Sequence, residues 1–471
     1  MIRIIAVLFS TLLCQAAQAT QVTNVFNEGD VASATQINQN FDDLESAIDH
    51  VLPQRVVWVA DDGSGDYPSL SQALANISPS AEAPYLIKVA PGTFTETTTV
   101  TLPAYVDIEG SGTGVTRIIC DRCQPVNAGE YGAVIRAVSN VNSQIRQITL
   151  EYTGSSASNQ ACGIYVNGFQ QATFSVLNVD ILVDGPMNTA GLVANSAQIH
   201  ARNLSVTVID GGTFSRGLHA IGPSRIELDS VRLSVTGASN DYGIDLEPES
   251  ELSGTNLFIE SVGYGARAGV QADQATLNVT NSAFSLISTN TNGFVNGILA
   301  ENNSAITVSS SRVTVEGTGG APTSLVGLRC RKSECDMQGS QVSVIGADYA
   351  TGVYVDQDAS MTIDSNIVNS KAESQDSVGV FARGADTTSN AVYGKSTVLI
   401  SNSRIAAQSL VTRSNAAVRE YRTNTSDESA DVLITNTLVE GTVSPLFNSN
   451  VSCAFVSNLA RKELDKNCIP L

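Results

Sequence analysis

The chain has 471 residues, and 26 Lys and Arg stand against 46 Asp and Glu, for a formal charge of −20. That field repels nucleic acid and anionic membrane surfaces. Charged residues make up only 15%, and 37 glycines accompany many Ser, Thr, Asn and Val, a mix that favours strands and turns over helices.

Residues 1–19 read MIRIIAVLFSTLLCQAAQA. Arg3 supplies a positive start, Ile4 to Leu13 an apolar core, and Ala17-Gln18-Ala19 a small-x-small cleavage site, so a signal peptide is expected. Cys14 follows the bulky Leu13, where a lipoprotein site wants a small residue, so a lipid anchor is not expected. No later apolar run approaches the roughly 18 residues that span a bilayer. These signals predict an exported protein without a membrane span, in the periplasm, outside the cell or on its surface.

Residues 20–54 differ in texture. Ile37, Phe41, Leu44, Ile48 and Leu52 recur at helical spacing. The segment resembles one that follows the signal peptide in various exported bacterial proteins. It predicts a helical N-terminal cap; the alternative is a small element for oligomerisation or attachment.

Next come VVWVADDGSGDYPSLSQALANI (56–77), APYLIKVAPGTFTET (83–97) and VDIEGSGTGVTRI (106–118). From Cys162 onward a repeat appears: GIYVNG, GLVANS, GLHAIG, GIDLEP, GVQADQ, GILAEN, GLRCRK, GVYVDQ and GVFARG. Its heads are Gly163, Gly191, Gly217, Gly243, Gly269, Gly297, Gly327, Gly352 and Gly379, with a degenerate unit near Ala417. Each unit of about 26 residues holds three alternating apolar pairs, for example Leu218 with Ala220, Ile226 with Leu228, and Leu233 with Val235. Three short strands per unit describe one coil of a parallel β-helix, which buries its apolar side only by stacking on its neighbours. Asn178, Asn203, Asp229, Asn256, Asn281, Asn366, Asn402 and Asn436 recur at one place and are expected to form a left-handed corner with a hydrogen-bonded column.

Alternation sends the residues between the core positions outward. One outward column holds Tyr165, Val193, His219, Asp245, Gln271, Leu299, Arg329, Tyr354 and Phe381; the next holds Asn167, Asn195, Ile221, Glu247, Asp273, Glu301, Arg331, Asp356 and Arg383. Three readings stay open. The face is a solvated polar surface. Alternatively it is a carbohydrate groove, in which Tyr165, Tyr354 and Phe381 stack on sugar rings while Gln271 and Arg331 orient hydroxyls. In the third reading it is a lyase or hydrolase site, with candidate catalytic residues Asp245, His219 and Arg329 and a metal on Asp245, Glu247 and Asp273.

Without Cys14, seven cysteines remain, an odd count. Cys453 and Cys468 would close a terminal staple. Cys330 and Cys335 fall on buried positions of one coil, as a disulfide or two thiols. Cys120 and Cys123 have metal or redox spacing, but at about 4.8 Å per coil they lie over roughly 30 Å from the later pair, so a shared zinc site is not expected.

The stretch 56–118 resembles the opening of the pectin lyase-like right-handed β-helix proteins, the pectinesterases most closely. Asp62-Gly63-Ser64-Gly65-Asp66-Tyr67, Pro91-Gly92-Thr93-Phe94, Gly110-Ser111-Gly112 and Thr116-Arg117-Ile118 carry the likeness, which with the repeat spans roughly 55–445. The family's esterases use two glutamines, two aspartates and an arginine. Gln160-Ala161, Ile164, Val166, Gly168, Ala172 and Phe174 resemble the first-glutamine strand. The region of the acid/base motif, Asp180 to Met187, has no Gln-Asp pair; 188–220 has no nucleophile strand; and the arginine motif's Trp has no counterpart, the only Trp being Trp58. The Gly-His-Gly and Arg-Ile-Lys motifs of polygalacturonase-like sites are absent too. A pectate lyase-like calcium cluster with a proton-abstracting arginine is the family chemistry left open.

The sequence therefore predicts an all-β chain: one right-handed parallel β-helix over 55–445, of about 12 coils with three strands each. It is capped by 20–54 and by 446–471. The expected function is non-catalytic, either polysaccharide binding or a rigid adhesin-like module. The alternative is a polysaccharide-active lyase or esterase with a non-family or calcium-dependent site. No cofactor is required in the first case; Ca2+ is the one the second admits.

Overall fold

The computed structural model describes residues 24, 26, 33–41 and 55–458, except 122, 139–141, 155–159, 169–170, 186–187, 210–211, 238, 264–265, 290–293, 319–323, 374, 384–394, 410–414, 422–429, 441, 445–449 and 455–456. The fold is a parallel β-helix. One wall is a 13-stranded sheet whose strands follow chain order from Val100–Leu102 to Thr442–Ser444. Every pairing in it is parallel, and each strand neighbours its counterparts one coil before and after. The other walls are two parallel ladders. The long strands Ser143–Thr153, Thr173–Asp184 and Gln198–Ile209 bend to run through both; later coils use two short strands instead, such as Arg225–Asp229 and Arg232–Thr236. Pairing continues through Asn450–Ala454 and Ser457–Asn458, so the solenoid extends past the predicted boundary at 445.

The predicted core pairs are buried: Leu218, Ala220, Ile226, Leu228, Leu233 and Val235 in one coil, and their counterparts elsewhere, form one continuous cluster. The repeat glycines explain how the walls fit. A Cβ on Gly327 would overlap Val342 Cγ1 and stand 2.5 Å from Gly352 O; one on Gly379 would overlap Ile405 Cγ2 and stand 2.5 Å from Ala417 O. The opposite wall and the next coil meet at this point, so there is no room for a side chain. The strand pairing also skips the glycine, as in Ala190↔Arg216 followed by Leu192↔Leu218.

The corner between the two ladders is left-handed at Gln147, Asn178, Asn203, Ser230, Asn256, Asn281, Ser310, Gly339, Ser365, Asn402 and Asn436. Two assignments shift by one residue. Ser230, not Asp229, and Ser365, not Asn366, take the positive φ. Asn281 donates to Asn256 (2.6 Å) and Asn436 to Asn402 (2.7 Å), which is the expected column. Asn366 is buried instead, in a second column just inside. There Ser282 Oγ accepts from Leu257 N, Ser311 Oγ from Ser282 N, Ser340 Oγ from Ser311 N, and Asn366 Oδ1 from Ser340 N. These side chains satisfy backbone amides that the turn removes from the ladders.

The helix whose apolar side joins the solenoid core is Leu70–Asn76, with Leu70 and Ala73 buried. Ser69 caps it, and the buried Glu96 carboxylate accepts from Leu70 N (2.9 Å) and Ser71 Oγ (2.5 Å) at its positive end. A further helix covers 34–41, begun by a reciprocal Ser33–Gln36 capping box, and leaves Ile37 and Phe41 exposed. Among the described residues no helix is long and apolar enough to cross a membrane.

Disulfides link Cys120 to Cys123 and Cys330 to Cys335, so the Cys120/Cys123 pair is neither a metal site nor a pair of thiols here. Cys162 is a buried free thiol. The Cys453 side chain and Cys468 lie outside the described residues, as do the signal peptide and most of the expected C-terminal cap.

Candidate functional site: the outer face of the 13-stranded sheet

The pairing register aligns Tyr165, Val193, His219, Asp245, Gln271, Leu299, Arg329, Tyr354 and Phe381 in one column. This face is not the open surface that simple alternation suggests. Tyr165, Val193, His219 and Asp245 are buried, and Tyr131, Ala133, Cys162, Tyr165, Ala190 and Val193 form a second apolar cluster outside the main core. Tyr131 arrives from the loop before Gly132–Ala137. Glu130 anchors that loop through two 2.8 Å hydrogen bonds from Arg136 and two from Asn127. Its ring stacks on Tyr165 and reaches His219 over the small residues between them.

Both ring nitrogens of His219 have a partner. Tyr131 Oη lies 3.0 Å from Nδ1, and Glu247 Oε1 lies 2.9 Å from Nε2. Burial pushes the Tyr131 hydroxyl far above its ordinary value, so it remains a donor. The tautomer that satisfies both contacts carries its proton on Nε2 and donates it to Glu247. The His219 hydrogen bond holds Glu247 below the ordinary carboxylate value against the cost of burial. Beside this chain Arg216 Nε donates to Asp245 Oδ2 (2.6 Å), with the guanidinium over the Phe214 ring. Burial disfavours the Arg216 cation, but the charge and hydrogen bond of Asp245, together with Tyr131 and Tyr242, outweigh this and raise its pKa.

Further along, Arg329 pairs with the fully buried Asp356 (2.8 Å) and covers the Tyr354 ring, which meets Phe381 edge-on with centroids 4.8 Å apart. Arg331 holds Glu301 at 3.0 Å. Asp356 Oδ1 is buried without a hydrogen-bond partner among the described residues.

The structure thus brings Asp245, His219 and Glu247 together and sets Arg329, Arg331, Tyr354 and Phe381 three to five coils from Asp245, with Gln271 next to Asp245. Two expectations are corrected. Tyr165 does not offer a ring to a sugar: it is buried beneath Tyr131, with its hydroxyl accepting from Asn195. The metal trio does not assemble. Asp245 is taken by Arg216, Glu247 by His219, and Asp273 accepts from Asn302 Nδ2 (2.8 Å). Among the described residues no group of three or more His, Cys, Asp and Glu converges as a metal would require.

Arg216, Tyr242 and Tyr131 were missed. Strict alternation back from Ile244 puts Gly243 outside and Tyr242 inside. The irregularity at each glycine resets the phase, so the residue before the glycine faces out. Tyr131 lies in a loop, where periodicity carries no signal.

Residues 56–184 match the sequence model of the pectinesterase family. That stretch and the coil architecture place the fold with the pectin lyase-like right-handed parallel β-helices. No curated protein matches the chain in sequence. Solved structures that resemble it include a pectin methylesterase from carrot (16% identity, TM-score 0.33, 60% of this chain and 82% of that one). The A-module of a mannuronan C-5 epimerase from Azotobacter vinelandii is another (12%, TM-score 0.43, 75% and 91%). A third is DFA-IIIase from Arthrobacter chlorophenolicus A6 (13%, TM-score 0.43, 76% and 93%). At these values none carries an argument about this chain's chemistry.

Proposed function

We propose that this is an exported β-helix protein that binds polysaccharide along the outer face of the 13-stranded sheet without turning it over. One observation carries the reading: four acidic groups of that face are already held by Arg or His side chains. Asp245 is bound to Arg216, Glu247 to His219, Glu301 to Arg331 and Asp356 to Arg329. A nucleophile or a general base needs a lone pair free to reach substrate, and each of these carboxylates already accepts a hydrogen bond from a neighbouring Arg or His. The missing Gln-Asp pair, nucleophile strand and arginine motif of the pectinesterases support the same conclusion. What remains for a ligand is a line of guanidinium groups and aromatic edges, with Tyr354 and Phe381 as the rings and Arg331 and Gln271 as the groups that orient hydroxyls.

A catalytic reading has one observation in its favour. The Tyr131–His219–Glu247 chain stands beside Asp245, with His219 Nε2 4.0 Å from Asp245 Oδ2. The purified mature protein, assayed against pectins and other acidic polysaccharides for both binding and product release, separates the two. Binding without product is expected, weakened about tenfold or more in Phe381→Ala. Product release that disappears in Asp245→Ala would establish the enzyme instead.

A further inference from the structure

The first of the two ladders carries a groove on a different wall from the site above. Cavities of about 480 and 210 Å³ share His200 and Glu227 and therefore run together. The floor is one register column: Gln144, Ser175, His200, Glu227 and Ser253. Its spacing is one polar side chain per coil, about 4.8 Å. The neighbouring columns stand higher because they hold long side chains braced across coils: Arg225 pairs with Glu251 at 3.2 Å and Arg202 with Asp229 at 3.3 Å. Asp107 closes one end, accepting from Gln144 N at 2.9 Å.

The contrast with the 13-stranded sheet lies in hydrogen-bond bookkeeping. There the charged groups are consumed by one another. Here the side chains of Ser175, His200, Glu227 and Ser253 make no hydrogen bond or ion pair to other described residues, so their capacity is available to a ligand. Arg202 and Arg225 are committed to Asp229 and Glu251, and Glu227 brings a carboxylate without an ion pair among the described residues, while Asp107 adds a second carboxylate within the field of Arg146. An anionic chain is repelled. The lining contains no Phe, Tyr or Trp, so recognition rests mainly on hydrogen bonds repeated at a constant interval.

The geometry points to a second binding site, for a neutral linear polysaccharide lying parallel to the solenoid axis on this floor. Its hydroxyls donate to Glu227 and Asp107 and exchange hydrogen bonds with Gln144, Ser175, His200 and Ser253. The site lies beyond the proposed function in location and in ligand charge, and it stands whether or not the other face binds.

Titration calorimetry of the mature protein with cellohexaose, xylohexaose and laminarihexaose tests it. At least one should bind. Ser175→Arg, which fills the floor, should weaken that binding at least tenfold while the thermal midpoint is retained; Ser253→Arg repeats the test at the other end should the first variant fold poorly. Excess oligogalacturonate should not displace the neutral chain. No binding by any of the three would overturn the proposal. So would full affinity in both variants, displacement by oligogalacturonate, or a lysine hexapeptide that binds in their place.

Discussion

At the scale of single residues, the outer face of the 13-stranded sheet ties its charged groups together pair by pair. His219 shows how. It sits between a hydroxyl that burial keeps protonated and a carboxylate that it helps keep ionised. Glu247 has its pKa lowered from 4.5, so the ionised form favours the fold. The sign follows from that direction. Its contribution is complete above about pH 4.5, the unfolded value, and is lost as pH falls through the lower folded value. Glu247→Gln should therefore melt below the wild type by a constant margin at pH 6 to 8, with the margin closing as the pH drops below about 4.5. Melting curves across that range check this; a margin that widens on acidification would refute it. The pairing that produces this behaviour was only half legible. His219, Asp245 and Glu247 were visible as neighbours from the repeat interval, whereas Arg216 was hidden by the change of phase at Gly217.

At the scale of elements, the glycine column and the corner columns follow from different constraints. The glycines mark where two walls and the next coil meet, and the pattern GΦxΦ with its regular interval was enough to find them. Gly327→Ala would force its Cβ against Val342 and the Gly352 carbonyl, so it should cost roughly 1–3 kcal/mol. A lowered urea midpoint would report it; a variant as stable as wild type would show that the walls can separate. At the corner, asparagine was a good guide because it tolerates positive φ, but serine occupies the same place in several coils. The inner column of Ser282, Ser311, Ser340 and Asn366 left no distinct sequence signal, since serine is common everywhere in this chain. The motifs shared with pectinesterases prove to be corner pieces as well. Asp66 accepts from Trp58 N (2.9 Å), a Cβ on Gly65 would stand 2.6 Å from Ala60 N, and one on Gly110 would overlap Gln147 O. They build the first coils, so the likeness over 56–184 is carried in part by residues that shape the backbone.

At the scale of the whole molecule, a stack of coils with a net charge of −20 repels an anionic ligand at a distance and meets it with arginines only at contact. Association with oligogalacturonate should therefore speed up as salt rises from 0.01 to 0.1 M, where the screening length falls from about 30 to about 10 Å. Stopped-flow rates measure this, and a rate that falls with salt would mean that the local arginines dominate the encounter. What the sequence determined by itself was the solenoid: its repeat, its core pairs, its glycines and the alignment of its outer columns. All of these follow from a short period and from burial that recurs in every coil. Only the tertiary structure decided what the columns do. A loop lays Tyr131 across three coils, a break in alternation turns Arg216 and Tyr242 outward, and contacts between successive coils join Asp245 to Arg216 and Glu247 to His219. Those outcomes depend on which side chains from different coils reach one another, and no local period encodes that distance.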